Sequence, residues 1–111
     1  MERLIDFFKV LSDETRLRIL VLLAQDNCCV CELQGVLAIS QPKTSKHLSK
    51  LRDMGYVDVE RKDKFMEYRL NVTDPMQRLV IENIVKNIHT YPKLEEDRLR
   101  LSHKEQFICK L

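Results

Sequence analysis

Residues 27–33 read "NCCVCEL" and hold Cys28, Cys29 and Cys31, three of the four cysteines of a 111-residue chain. Thiolate is a soft ligand, so a cluster of this kind suits a thiophilic metal or metalloid ion. Three sulfurs around one ion fit trigonal As(III) or Sb(III), whereas four fit zinc or cadmium. Cys28 and Cys29 are poor disulfide partners for each other, because adjacent Cα atoms lie about 3.8 Å apart across a trans peptide, short of the roughly 4.4 Å a disulfide needs. On an intact helix Cys29 and Cys31 point to opposed sides, while in an extended segment they share a face. Cys28 and Cys31, three apart, can meet on a helix. One ion held by all three therefore requires the first turn of the following helix to open. A helix start also predicts thiol pKa values lowered toward the ionised form. The competing role is that of small buried hydrophobes, a frequent use of free cysteine. Cys109, in "FICKL", is expected to pack, with auxiliary ligation as the alternative.

A second group carries charge. Between Gln41 and Asp53, Lys43, Lys46, Lys50 and Arg52 face only Asp53, whereas "KLEEDRLR" near the C-terminus mixes signs. The net charge of +2 decides little, but a local basic stripe is the footprint of a nucleic-acid partner. On a helix starting near Gln41, the side chains of Gln41, Lys43, Thr44, Lys46 and His47 are expected to project outward while Leu48 and Leu51 turn inward. Such groups suit base edges and phosphates at the N-terminal part of a helix in the major groove. Helix amides near Ser40 add a phosphate contact. Arg61, Lys62 and Lys64 sit in a charged turn from which cations reach the DNA backbone or minor groove, orienting the protein more than reading sequence. The plainer alternatives are a solvated lysine face and a solubilising turn. His47 either touches DNA or hydrogen-bonds within the helix pair, and His89 and His103 read as surface residues.

Local pattern supplies the elements that position these groups. Leu4, Ile5, Phe8 and Leu11 recur at helical spacing and predict one apolar stripe on a first helix. Ser12 or Asp13 caps a second helix through "ETRLRILVLLAQ", ending near Asp26 or Asn27 and apolar on most sides, hence central. "ELQGVLA" then allows about two turns. Ser40 as N-cap, Pro42 in the first turn and Gly55 as C-terminal cap bracket "QPKTSKHLSKLRDMG". A short helix, a tight connection and a longer basic helix make a helix-turn-helix. In "YVDVERKDKFMEYRLN", Val57 and Val59 and then Met66, Tyr68 and Leu70 alternate around "RKDK", predicting a hairpin with one buried face. Thr73, Asp74 and Pro75 open a helix to about Tyr91 with Leu79, Ile81, Ile84, Val85 and Ile88 as its apolar band. Pro92 interrupts it, and a polar helix follows.

The expected fold is mainly α with a β-hairpin wing, a winged helix-turn-helix forming a single domain over residues 1–111. Apolar stripes on the outer helices at both ends exceed what a chain this short covers, which predicts a homodimer. No stretch approaches the roughly 18 uninterrupted apolar residues of a membrane span, and "MERLIDFFKV" mixes charges among its apolar residues, so a cytoplasmic protein is expected. In a reducing compartment clustered cysteines bind metal or sense redox rather than staple a fold.

"CVCEL" at 29–33, "SQPKTSKHLSKLRDMGYV" at 40–57 and the hairpin together resemble the ArsR/SmtB family of metal-responsive winged-helix repressors, most nearly its arsenic(III)/antimony(III) sensors. The similarity runs from about Arg16 to Leu70. The resemblance implies a homodimer on double-stranded operator DNA that lets go when As(III) or Sb(III) occupies the cysteines. It implies Cys29 and Cys31 as ligands, and Gln41, Lys43, Ser45, Lys46 and His47 on the reading helix. Gln34 stands where many arsenic sensors of the family carry a third cysteine. The family's zinc pattern on the last helices, aspartate-x-histidine followed by a second histidine, is not evident, nor are the N-terminal thiols of its cadmium and lead sensors. Alternatives within the fold are a Cd/Pb/Zn sensor and a thiol redox or persulfide sensor, in which Cys31 or Cys29 bridges to Cys109 or across subunits. An enzyme is not expected. Cys28 and Cys31 have C-x-x-C spacing but lie among helices without a strand-helix-strand unit, and only Gly35 and Gly55 are available to a phosphate-binding loop.

Overall fold

The computed structural model describes residues 1–107. Its elements run α1 (Glu2–Leu11), α2 (Glu14–Gln25), β1 (Cys28–Cys29), α3 (Val30–Leu37), α4 (Gln41–Asp53), β2 (Val57–Lys62), β3 (Phe65–Leu70), α5 (Pro75–Lys86) and α6 (Pro92–Leu101), with 3-10 turns at Ile88–Thr90 and Lys104–Phe107. This is the expected winged helix-turn-helix, with α3 and α4 as the helix pair and β2 and β3 as the wing.

Caps set the boundaries. The Asp13 carboxylate accepts from the Arg16 N–H at 3.0 Å and starts α2. The Ser40 hydroxyl accepts from the Lys43 N–H at 3.3 Å and starts α4. Asp74 accepts from both Met76 and Gln77 ahead of α5. These side chains satisfy amides that the first helical turn leaves without partners. At the other end of α4, Gly55 adopts φ +84°, a left-handed conformation that lets the chain turn into β2.

The core forms around α2, whose Ile19, Leu20 and Leu22 are fully buried with Leu33, Val36, Leu48 and Leu51. Because α3 and α4 pack their apolar faces onto one central helix, the outward face of α4 is held in a fixed orientation. A buried ion pair closes the other side. Arg18 donates to both carboxylate oxygens of Asp97 at 2.8 Å and to the Leu37 carbonyl at 2.9 Å, tying α2 and the end of α3 to α6.

Several expectations are corrected. The α1 stripe divides: Phe7 and Val10 enter the core, while Ile5 and Phe8 remain 46% and 49% exposed. The docking angle decides this, since Phe7 packs on Tyr56 with ring centroids 6.0 Å apart. The fifth helix stops at Lys86, short of Tyr91, because Asn87 caps it and the following turn folds Ile88 onto Val21 and Leu94. Leu79 lies outside the buried band, 54% exposed. Met66 is also exposed, because it pairs with Arg61 where the hairpin extends past the core. The sheet itself has three strands in the order β1-β3-β2, since Cys28 and Cys29 form a strand ahead of the helix start that the sequence predicts there.

Candidate functional site

β1 sends its two side chains to opposite faces of the sheet, as any strand does. Cys28 pairs with Tyr68, and Cys29 with Glu67. Cys28 faces inward, fully buried in the main core cluster, with its sulfur 3.9 Å from the Asp26 carbonyl. Cys29 faces a cavity of about 180 Å³ lined by Glu32, Lys62, Phe65, Glu67 and Lys104. It is also the N-cap of α3, and its N–H donates to Glu32 Oε1 at 2.9 Å in a capping box. Cys31 lies within α3, half-buried and disulfide-bonded, while Cys28 and Cys29 carry free thiols. Cys109 lies outside the described residues. Among the described residues, no group of three or more His, Cys, Asp or Glu side chains is arranged to hold a metal ion.

The electrostatics reverse one expectation. Burial pushes the Cys28 thiol up to about 12, against the pull of the Lys104 ammonium. The Cys29 thiol is also raised, because burial outweighs its backbone hydrogen bonds. Desolvation disfavours the thiolate more than the helix start favours it. Lys104 is a further member of this site. Its ammonium donates to the Asn27 carbonyl at 2.6 Å and lies 2.9 Å from Asp26 Oδ2 and 3.9 Å from Glu32 Oε1, clamping the thiol turn from far along the chain. No local pattern marks a lysine whose partner lies 77 residues away.

On α4, Ser40, Gln41, Lys43, Lys46 and Lys50 are exposed, and Ser45 and His47 are half-buried. Gln41 Nε2 donates to Ser45 Oγ at 2.8 Å, which orients both groups on the helix face. Thr44 does not project outward. It is fully buried, with its hydroxyl donating to the Ser40 carbonyl at 2.8 Å. Helical geometry places it on the side that carries Leu48 and Leu51, and the hydroxyl is satisfied by the local backbone bond open to threonine. His47 Nδ1 lies 3.9 Å from Asp13 Oδ2. Burial lowers the His47 pKa, with Asp13 opposing, so the ring is neutral at pH 7.

The wing holds its own acids. Arg69 bridges Asp58 at 3.1 Å and Glu60 at 2.6 Å, and Lys62 lies 3.8 Å from Glu67 Oε1. Arg61, Lys62 and Lys64 are all exposed at the tip, which is therefore positive. The turn itself is made by Asp63 at φ 54°.

Residues 13–59 match the family described as bacterial regulatory protein, arsR family. An arsenical resistance operon repressor from Staphylococcus aureus is 32% identical over 81 residues, covering 73% of this chain and 72% of its own. The chain belongs to the ArsR family. Another ArsR relative, the arsenic resistance transcriptional regulator ArsR2 of Pseudomonas putida, is 49% identical over 67 residues, 60% of this chain and 58% of that protein. The chain thus spans a little over half the length of such curated relatives. Among solved structures, the antimony-specific transcriptional repressor AntR superposes with a TM-score of 0.67 at 27% identity, covering 83% of this chain and 82% of the other. The family is described as one of bacterial regulatory proteins, and the relative from Staphylococcus aureus as a repressor. No described helix is long and apolar enough to cross a membrane.

Proposed function

We propose that this ArsR-family protein is a homodimeric transcriptional repressor that grips double-stranded operator DNA with α4 and the wing and, once the disulfide at Cys31 is reduced, lets go when As(III) or Sb(III) binds the sulfurs of Cys28, Cys29 and Cys31. One observation carries the reading. The three cysteines lie in β1 and the first turn of α3, the helix that supports α4, so a ligand drawn to their sulfurs acts on the scaffold of the reading helix. Gathering Cys28 and Cys29 on one ion means bringing together side chains that now face opposite sides of β1. That geometry differs from the one described, and the difference in ligand affinity between the two states is what couples ion binding to DNA release. Exposed Ile5 and Phe8 on α1 and Met76 and Leu79 on α5 supply the apolar surface for the dimer.

The test is fluorescence anisotropy of a labelled duplex from upstream of the coding region, titrated with reduced protein with and without arsenite, alongside a Cys29→Ser/Cys31→Ser variant. Release by arsenite from the native protein and none from the variant is the expected result. Tight binding that arsenite leaves untouched would remove the metalloid reading. The disulfide at Cys31 favours a second reading, a thiol redox sensor. It predicts that oxidised and reduced protein differ in operator affinity with no metalloid present.

A further inference from the structure

A second cavity, of about 280 Å³, shares no wall with the one beside Cys29. It lies where α1, the turn after α4 and the start of α5 meet. Gln77, in the first turn of α5, lines it and is only 6% exposed. The Gln77 backbone N–H donates to the Asp74 cap, but its side-chain amide has no hydrogen-bond partner among the described residues. No fully enclosed side-chain polar atom among them lacks a partner, so this amide opens into the cavity. At the rim stand Arg3 and Asp6, both exposed and neither paired with another charged side chain among the described residues. Three positions apart on α1, they are neighbours on one face. Burial raises the pKa of Tyr56 on the facing wall, with Asp6 adding to the shift and Arg3 opposing it, so both charges are felt across the cavity. Ile5 and Phe8 on α1, and Met76 and Leu79 on α5, fall on other faces of their helices. The surface proposed for the dimer therefore does not include the cavity.

We propose that this cavity binds a free α-amino acid whose side chain ends in a carboxamide, L-glutamine or L-asparagine. Arg3 takes the ligand carboxylate and Asp6 its ammonium, two charges as close together on an amino acid as their partners are on α1. Deeper in, the ligand carboxamide meets the Gln77 amide. Each offers a donor and an acceptor, so the N–H of one donates to the carbonyl of the other and both groups are satisfied. An apolar tail of the same length would leave the buried Gln77 amide without a partner, which costs affinity. The volume lies just below the roughly 300–1,000 Å³ of sites for drug-sized ligands, which suits a molecule as small as an amino acid. No thiol takes part, so the site stands independently of the metalloid reading.

Calorimetry and side-chain amide NMR spectra of the full-length, reduced protein test the assignment. L-Glutamine or L-asparagine at millimolar concentration is expected to give saturable heat and to shift the Gln77 side-chain signals. L-Norleucine, which keeps the amino-acid head on an apolar tail, and L-glutaminamide, which lacks the carboxylate, should each bind at least several-fold more weakly than L-glutamine. Gln77→Met, similar in volume, removes the preference over norleucine and keeps the preference over glutaminamide. Arg3→Ala does the reverse, and because Arg3 is exposed this variant tests the site even where Gln77→Met destabilises α5. Three results overturn the proposal: no saturable binding by wild type, equal wild-type affinity for glutamine and norleucine, or ligand preferences that both variants leave unchanged.

Discussion

At the scale of single residues, the chemistry turns on thiols that burial keeps protonated. Cys28 holds its proton to about pH 12 and Cys29 holds its own above the ordinary thiol range. This separates two ligand classes by pH. Neutral arsenite exchanges hydroxide for thiol with water as the product, so no net proton is released, and its affinity is expected to stay flat between about pH 6 and 8. A divalent cation such as Cd(II) must expel one proton per thiol, so its affinity should rise about tenfold per pH unit for each thiol engaged. Titrations of both ions across that range, followed by ultraviolet charge-transfer absorbance, measure the slopes. An arsenite affinity that climbs steeply with pH would contradict the burial described for these sulfurs.

At the scale of elements, α3 is more crowded than its length suggests. Its N-terminus is capped by a cysteine and a glutamate, its C-terminus turns at Ala38 in a left-handed conformation, and its middle accepts an aromatic ring. A Cβ on Gly35 would overlap the Phe107 side chain, so glycine here serves close approach rather than an unusual backbone angle. Gly35→Ala is therefore expected to displace the last turn and cost about 1–3 kcal/mol, the usual range for overpacking. Urea denaturation would read this as a lower midpoint at unchanged slope. A neutral or stabilising outcome would mean that Phe107 moves aside freely.

At the scale of the whole molecule, one buried ion pair and one exposed apolar surface matter most. Removing the Asp97 carboxylate would leave Arg18 charged and 5% exposed without its main partner. Deprotonation offers no escape, because a guanidinium stays protonated in proteins even without a carboxylate partner. Asp97→Ala is expected to cost about 3–5 kcal/mol, read by chemical denaturation. The apolar surface is expected to join two copies, so Phe8→Glu should shift the protein toward monomer in analytical ultracentrifugation and weaken operator binding in parallel. A Phe8→Glu protein that stays dimeric would move the interface away from α1.

What the sequence by itself determined was local. Asp13, Ser40 and Asp74 mark helix starts because a capping side chain reaches amides only two or three residues on. The switch from helical spacing to alternation after Tyr56 marks the wing for the same reason, and the lysines of α4 and the cluster of thiols are plain in composition. Tertiary structure decided the rest. Whether Phe7 or Phe8 enters the core depends on the angle at which α1 meets Tyr56, and Thr44 is buried because α4 packs against a central helix. A strand as short as Cys28–Cys29 shows no alternation, so only its pairing with β3 reveals that the thiols belong to the wing's sheet. The raised thiol pKa values and the Lys104 clamp likewise arise from groups brought together across most of the chain, where burial and charge act through space rather than along the sequence.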